Sequence, residues 1–336
     1  MLYHVVRPLL FQLDAETAHS LTLKSLQLAQ RTGLARLAWG PPPPRPVRVM
    51  GLEFPNPLGL AAGLDKHAEY IDALASLGFG FIEIGGVTPL PQPGNPRPRV
   101  FRLPQAEAII NRFGFNSVGI DRFVVNLRKA RFKGVLGVNL GKNKDTPLAK
   151  AVEDYSICLE KIYPFAHFAT INVSSPNTPE LRNLQAADEL EPLLATLHRL
   201  REQLSQRHGR RVALAVKIAP DMDKPAIESV ARIAMAQKMD AVIATNTTVS
   251  RDKVLGLPHA NEQGGLSGAP LREASTEVIR HLARALDGAL PIIGVGGIMS
   301  AADARDKLEA GASLLQLYCG LVYRGPQVVR EIVSGL

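Results

Sequence analysis

The densest group of chemically capable side chains in this sequence is residues 172–179, NVSSPNTP, which directly follow an apolar run at 168–171. The apolar run is typical of a buried strand. Two carboxamides can bind a planar ligand edged with amides, since each offers donors and an acceptor. Ser175 between them is a candidate base, but it needs a water-poor site and a proton relay, for which Thr178 is the nearest candidate. The alternative is that Ser175 only satisfies backbone groups beside Pro176.

Other amides and a lysine also occur where apolar runs end. Asn139 and Asn246 follow two further runs, and a single asparagine there would be an ordinary turn residue. Their repetition at strand ends predicts a shared ligand site, which Asn111 in a long insertion is expected to cover. Lys217 lies inside the apolar run 213–219, where burial of an ammonium is costly without an anionic partner.

A glycine-rich segment at 294–297 predicts a phosphate site, because its backbone N–H groups can approach an anion closely beside the start of a helix. Further glycines at 264–268 and Gly320 strengthen this interpretation, although turn glycines alone also explain such runs. Asp65 is the one acid expected on this rim, so we predict no metal site, which would need several carboxylates. Cys158 is expected in the core, and Cys319 lies near the phosphate loop without a visible base.

The elements that must position these groups repeat as strand, loop and helix. We predict eight strands, at 58–62, 79–84, 134–139, 168–173, 212–218, 241–245, 291–295 and 313–317, with helices between them at 147–162, 191–207 and 224–237, among others. This pattern predicts a (β/α)8 TIM barrel whose active site lies at the carboxyl ends of the strands. An open doubly wound sheet is the alternative.

The first forty residues differ from this body. Asp14 is a good N-cap for a helix through Gln30, with Gly33 as its stop. Its predicted apolar-to-small face comprises Ala18, Leu21, Ser25 and Leu28, and its basic flanks are Arg7, Lys24, Arg31 and Arg36. Four prolines at 41–44 form a stiff spacer. We therefore predict a small N-terminal helical element at 1–40 and a barrel at 41–336.

Composition sets broad limits. The 336 residues are 46% hydrophobic, and Lys and Arg exceed Asp and Glu by 8. A basic balance suits nucleic acid, an anionic membrane surface or anionic small molecules, or it is only a solvated surface. Two cysteines exclude a disulfide framework, and we expect neither a membrane-spanning helix nor a secretory signal.

The sequence resembles the dihydroorotate dehydrogenases, specifically the quinone-dependent, membrane-associated class 2. The motifs that carry the resemblance are AAGLDK (61–66), NPRPRVFRLP (95–104), INRFGFNS (110–117), GVNLGKNK (137–144), NVSSPNTP (172–179), VKIAP (216–220), ATNTT (244–248), GGLSG (264–268), PIIGVGG (291–297) and GASLLQLY (311–318). It implies oxidation of dihydroorotate to orotate in de novo pyrimidine (UMP) biosynthesis, with FMN over the barrel mouth, hydride passing to FMN and electrons passing on to a membrane quinone.

The resemblance also implies residue roles. Residues implied in FMN binding are Ala62, Gly63, Lys66, Asn139, Asn172, Lys217, Thr245, Gly268, Gly297, Tyr318 and Cys319. Residues implied in dihydroorotate binding are Lys66, Asn111, Phe115, Asn172, Asn177, Asn246 and Thr247. Ser175 matches the catalytic base, where the soluble class carries cysteine, and His19 and Arg102 match positions near the quinone tunnel. At one position the sequence departs from the family, because Gly86 stands where a threonine or serine hydroxyl is usual.

Peripheral attachment through the N-terminal helices, at the cytoplasmic side of the inner membrane, follows from the same resemblance, and no nucleic-acid partner is expected. Two alternatives stay open at this point. One is a flavin-dependent tRNA dihydrouridine synthase-like reductase, which would need a helical RNA-binding extension. The other is a non-catalytic barrel that binds a phosphate ligand at a membrane surface.

Overall fold

The computed structural model describes residues 2–336, without the side chains of Leu2, His4, Arg36 and Leu37, so the predicted basic flank at Arg36 lies outside the described side chains. The strands are β1 (Val47–Val49), β2 (Leu52–Phe54), β3 (Leu58–Leu60), β4 (Phe81–Val87), β5 (Val100–Leu103), β6 (Ala108–Asn111), β7 (Val135–Leu140), β8 (Phe168–Asn172), β9 (Ala213–Ile218), β10 (Ala241–Ala244), β11 (Gly265–Gly268), β12 (Ile292–Val295) and β13 (Leu314–Leu317).

Helices cover the outside of the strands and both ends of the chain. They are α1 (Leu2–Gln12), α2 (Ala15–Arg31), α3 (Leu34–Trp39), α4 (Ile71–Ala75), α5 (Ile120–Leu127), α6 (Ala151–Ile162), α7 (Ala187–His208), α8 (Lys224–Ala236), α9 (Arg272–Leu286), α10 (Ala301–Glu309), α11 (Cys319–Arg324) and α12 (Gln327–Gly335). No helix among residues 2–336 is long and apolar enough to cross a membrane.

Eight parallel strands close into a barrel in the order β10-β12-β13-β3-β4-β7-β8-β9. These are the eight predicted strands, and each observed end lies within three residues of the predicted one. Every residue of the eight strands is buried, as expected for parallel strands covered on both faces. The predicted (β/α)8 barrel is therefore confirmed, and the open doubly wound sheet is excluded.

Two smaller sheets were not predicted. The hairpin β1–β2 covers the end of the barrel opposite the mouth, where Phe54 meets Phe81 edge-on at 5.3 Å and Phe81 meets Phe168 at 6.0 Å. The antiparallel sheet β5–β6–β11 lies over the mouth, at the carboxyl ends of the barrel strands. In this second sheet, β6 brings Asn111 opposite Gly265 of β11. The insertion after β4 is therefore the roof of the mouth.

The predicted N-terminal helix is present as α2. The carboxylate of Asp14 caps it by accepting from the backbone N–H of Glu16 at 3.1 Å and of Thr17 at 3.0 Å. The predicted apolar face is only partly right, because Leu21 and Leu28 are 48% and 64% exposed. Ala18 is buried as predicted, and Leu23 and Leu26 are buried in place of the two leucines, because α2 packs against α4 of the barrel. The division of the chain at residues 40 and 41 stays a prediction.

Candidate active site

A polar cavity opens at the carboxyl ends of the barrel strands, under the β5–β6–β11 roof. All the predicted FMN and substrate residues, together with Ser175, line its wall: Ala62, Gly63, Lys66, Asn111, Phe115, Asn139, Asn172, Asn177, Lys217, Thr245, Asn246, Thr247, Gly268, Gly297, Tyr318 and Cys319. The geometry thus brings the predicted set together at one place, while the individual roles stay predictions.

A chain of buried hydrogen bonds fixes the amides on the cavity floor. The carboxylate of Glu83 accepts from Asn139 Nδ2 at 2.7 Å, and its other oxygen accepts from Gln316. Asn139 Oδ1 in turn accepts from Asn172 Nδ2 at 2.9 Å. Asn172 Oδ1 then accepts from the hydroxyl of Ser174 at 3.1 Å. Because a carboxylate can only accept, it determines which way each amide in the chain points.

Glu83 and Gln316 were missed as site residues. Both are essentially inaccessible in barrel strands, at 0% and 1% exposure. The signal was present in the sequence, because an acid inside the apolar run at 81–84 is as costly to bury as a lysine in one. The rule that singled out Lys217 would also have selected Glu83.

Two lysines supply positive charge to the cavity. Burial lowers the pKa of Lys217, and the negative charge of Glu83 partly opposes that shift. Burial and the neighbouring Arg99 lower the pKa of Lys66 to about 8. The Lys66 ammonium lies 4.5 Å from the centre of the Phe113 ring. Within the described residues, neither ammonium has a carboxylate at ion-pair distance, so the cavity is built to receive an anion.

A glycine cradle lies beside the lysines, where the loops after β11 and β12 meet. Gly268 and Gly297 have φ of 101° and 73°, which disfavour any residue with a side chain. A Cβ at Gly297 would lie 2.3 Å from the Arg272 backbone, and one at Gly268 would lie 2.2 Å from the Glu107 carbonyl oxygen. The bare backbone at these positions therefore matches the predicted phosphate loop in form.

Ser175 lies in the loop after β8 and faces the cavity. Its Oγ accepts from the backbone N–H of Asn177 at 3.3 Å. Asn177 Nδ2 donates to Asn111 Oδ1 at 3.2 Å, which ties the serine loop to the roof. Thr178 Oγ1 is buried and makes no hydrogen bond in the described structure. An unpaired hydroxyl three residues from Ser175 is a suitable next proton carrier, so Thr178 stays the candidate relay.

An arginine that sequence reasoning missed holds the serine loop to the loop after β10. Arg182 donates to the carbonyl of Ser174 at 3.1 Å and to that of Thr247 at 2.8 Å. Its guanidinium also pairs with Asp221 at 2.8 Å. Arg182 therefore fixes the distance between two of the segments that line the cavity.

Gly86 packs directly against the ring of Phe115. A Cβ at this position would lie 2.6 Å from the ring of Phe115 and 3.1 Å from Asn139 Oδ1. A Cβ at Gly141 would also lie 2.8 Å from the same ring. The phenyl ring of Phe115 therefore occupies the space that the usual threonine or serine would need.

The two cysteines behave differently. Cys158 is fully buried in α6, as predicted. Cys319 lines the cavity with its Sγ 3.1 Å from the hydroxyl of Ser267, and burial raises the pKa of this thiol to about 12. A thiol that stays protonated is no nucleophile at neutral pH, so Cys319 can serve only for packing and weak hydrogen bonding.

A second, mostly apolar cavity of about 700 Å³ separates α1 and α2 from the barrel, and both predicted tunnel residues line it. Burial lowers the pKa of His19 to about 4, so this ring is neutral at physiological pH. Arg102 donates to the carbonyls of Leu10 at 3.1 Å and Phe11 at 3.2 Å. The two cavities share wall residues, among them Lys66 and Tyr318.

Comparison with known proteins identifies the family. A dihydroorotate dehydrogenase family model matches residues 46–336. The protein named dihydroorotate dehydrogenase (quinone) from Nitrosomonas eutropha is 60% identical over 99% of this chain and 97% of its own length. The one so named from Thiobacillus denitrificans is 59% identical over 100% and 99%.

Solved structures agree with this result. The crystal structure of dihydroorotate dehydrogenase from Eimeria tenella in complex with ferulenol superposes with a TM-score of 0.88 at 37% identity, over 96% of this chain and 90% of that one. The ligand-free form of the same enzyme gives a TM-score of 0.85 at 38% identity, over 94% and 93% of the respective chains. The chain therefore belongs to the dihydroorotate dehydrogenase family, in its quinone-dependent class.

Proposed function

We propose that this protein oxidises dihydroorotate to orotate in pyrimidine biosynthesis, with FMN at the barrel mouth and a membrane quinone as the final electron acceptor. Family membership supports the reaction and the acceptor. The observation that carries the assignment of the site is the polar cavity itself, where a glycine cradle, two lysines without carboxylate partners and an oriented amide chain face one space.

The residues present fit FMN. The cradle at Gly268 and Gly297 would hold a phosphate through backbone N–H groups. Gln316 Oε1 is buried and has no hydrogen-bond donor among the described residues, as expected of an atom that awaits a ligand. FMN, when bound, supplies the acceptor for the two electrons released by the substrate. Lys217 would place its ammonium where reduced flavin carries negative charge.

The substrate would lie between the amide chain and the roof. Asn172, Asn177 and Asn246 would contact it from the carboxyl ends of the barrel strands and Asn111 from the roof, since all four line the cavity. Thr247 Oγ1 is a further buried hydroxyl that has no hydrogen-bond partner in the part of the chain that the structure describes. The Lys66 ammonium would attract the carboxylate of dihydroorotate. These donors and acceptors match the alternating N–H and C=O edge of a dihydropyrimidine ring.

Ser175 is the proposed base, which removes the C5 proton of dihydroorotate. A serine does this only where water is excluded and the proton can move on. The roof and the serine loop supply the first condition, since Asn177 and Asn111 join them across the opening. Thr178 would supply the second by accepting the proton from the Ser175 hydroxyl and releasing its own.

The N-terminal element at 1–40 would be a separate unit that admits the quinone and attaches peripherally to the membrane. The cavity beneath it is mostly apolar, and Val5, Leu9, Leu28 and Leu34 expose 59–71% of their surface. An exposed apolar face of this kind favours contact with lipid. Together with the class, it supports a position at the cytoplasmic side of the inner membrane, and we propose no nucleic-acid partner.

The decisive experiment is optical. The purified full-length protein should be yellow, should bleach anaerobically on addition of dihydroorotate, and should regain its colour when a quinone is added. Orotate is the matched control and should not bleach it, because the product has no electrons to give. A colourless preparation that binds no FMN, or a yellow one that dihydroorotate leaves unchanged, would refute the proposal. Salt-sensitive RNA retention would instead favour a tRNA-modifying flavin enzyme.

A further inference from the structure

Lys307 is a buried lysine that the proposed reaction does not use. It lies on α10, is 0% exposed, and donates to the hydroxyls of Ser275 at 3.0 Å and Thr276 at 3.1 Å. Within the described residues, no carboxylate lies at ion-pair distance from its ammonium, and Asp303 on the same helix is instead paired with Arg272 at 2.7 Å. An ammonium buried with only neutral hydroxyl partners is costly to the free chain.

The two hydroxyls connect Lys307 to the back of the glycine cradle. Ser275 Oγ donates to the carbonyl of Val295, and a Cβ at Gly296 would lie 3.1 Å from Ser275 Oγ. Thr276 Oγ1 donates at 2.8 Å to the carbonyl of Arg272, whose backbone nitrogen would lie 2.4 Å from a Cβ at Gly297. One layer of side chains therefore separates the ammonium from the proposed phosphate site.

The charges around Lys307 do not compensate it. Burial lowers its pKa to about 7. Asp303 and Asp306 of α10 oppose this shift, while Arg272 and Arg280 of α9 add to it. At neutral pH the flavin-free chain is therefore only partly protonated at this site. A phosphate dianion on the far side of the hydroxyl layer would supply the missing negative charge and favour the protonated form.

We propose that Lys307 is the buried counter-charge of the FMN phosphate, a positioning residue that makes the cradle prefer phosphorylated flavin to riboflavin without touching either. This inference rests on the proposed binding of FMN. The competing explanation is purely structural, in which Lys307 only joins α9 to α10. The two differ in what they predict for a ligand that lacks the phosphate.

The test is Lys307→Met, which removes the charge and keeps most of the side chain. In the full-length protein freed of flavin, the dissociation constant for FMN should rise about tenfold or more, as expected for a charge pair across one side-chain layer, and that for riboflavin should stay unchanged. The melting temperature of the flavin-free variant should be unchanged or higher, because an uncompensated buried charge is gone. A structural role would instead lower the melting temperature and weaken both ligands equally.

The phosphorus NMR signal of bound FMN gives a second readout on the loaded protein. The phosphate should stay dianionic to lower pH in the wild type than in Lys307→Met, where its second pKa should move up towards the ordinary value of about 6. The matched control is Lys142→Met. That lysine is also buried, but its ammonium donates to the backbone carbonyl of Asn143 at 2.8 Å. The control should change neither the FMN-to-riboflavin ratio nor the phosphorus titration.

Two results would overturn the inference. One is an unchanged ratio of the FMN and riboflavin dissociation constants in Lys307→Met, whether both ligands lose affinity equally or neither does. The other is a wild-type phosphate that titrates at its ordinary pKa. The last measurement needs no variant, so an ordinary phosphate pKa would overturn the inference even where Lys307→Met does not fold. A protein that binds no FMN contradicts the proposed function, whereas one that binds FMN with an unchanged ratio contradicts only the role of Lys307.

Discussion

The barrel mouth and the N-terminal element are held in different ways. At the mouth, polar side chains orient one another through buried bonds, as in the chain from Glu83 to Asn172. At the N-terminus, the side-chain hydrogen bonds that join α1 to the barrel end on backbone carbonyl oxygens. We call this boundary between α1 and the barrel the seam. Arg102 donates to Leu10, Arg7 donates to Tyr323 at 2.9 Å, and Tyr3 donates to Val322 at 2.5 Å.

The difference follows from what each region must do. Proton and electron transfer require groups fixed to fractions of an ångström, and strands of a closed barrel provide that. The proposed entry of an apolar quinone asks for no such precision, and the side-chain hydrogen bonds described between α1 and the barrel end on backbone carbonyl oxygens. The four predictions that follow test this division, from the largest expected effect to the smallest.

Removal of residues 1–40 should separate the two regions completely. Flavin reduction by dihydroorotate should persist, since none of the predicted FMN or substrate residues lies in this segment. Turnover with a long-chain quinone should be abolished, because one wall of the 700 Å³ cavity is lost. Stopped-flow reduction and steady-state quinone assays measure the two halves. Unchanged turnover with a long-chain quinone would falsify the assignment of the element.

Ser175→Ala should stop the chemistry at the mouth and leave the N-terminal half intact. We expect flavin reduction to slow about 10²–10⁴-fold, the usual contribution of a positioned base. Bound flavin and orotate affinity should be retained. The control uses the same variant: after chemical reduction of its flavin, quinone should reoxidise that flavin at the wild-type rate. Near-normal reduction by dihydroorotate would rule out the serine as the base.

Glu83→Gln should loosen the floor of the mouth. The new amide presents a donor where Asn139 and Gln316 both donate, so one of them loses its acceptor. We expect the free energy of unfolding to fall by about 1–3 kcal/mol and FMN to bind more weakly. Urea unfolding and flavin titration measure these effects, with the exposed Glu53→Gln on β2 as the control. An unchanged quinone KM is part of the prediction, and a raised one would contradict it.

Arg102→Met should have the smallest effect and confine it to the seam. Its guanidinium donates to the carbonyls of Leu10 and Phe11 in the last turn of α1. We expect a cost of about 1–2 kcal/mol in the docking of α1 and a quinone KM raised several-fold. The rate of flavin reduction should not change. The control is Arg128→Met, which removes a contact with the Phe165 ring. An equal effect of the two variants on the quinone KM would show that Arg102 has no specific role in the docking of α1.

The sequence was sufficient to predict the barrel because each strand is a short, largely apolar run followed by polar or glycine-rich loop residues. The same local rule located Lys217 and the amides, since these residues interrupt or end such runs. Glu83 also interrupts an apolar run, so the local sequence carried the same signal for this acid as for Lys217.

The roof sheet β5–β6–β11 and the hairpin β1–β2 could not be predicted from local sequence in this way. Strands of three or four residues give too little alternation to stand out, and β6 pairs with β11 from the far end of the sequence. The exposure of Leu21 and Leu28 was missed for a related reason, because helix periodicity does not show which face a neighbouring helix covers. Such features depend on partners that only the folded chain brings together.

The pairing of β6 with β11 has a consequence for how the protein folds. Residues 108–111 pair with residues 265–268, and the barrel strands β7 to β10 lie between these two segments in the sequence. Closing so long a loop costs conformational entropy, which only the few hydrogen bonds of this sheet offset. We therefore expect the sheet to form late in folding and to open early in local unfolding. Asn111 lies on that sheet, so a substrate bound at the proposed site would stabilise the paired roof.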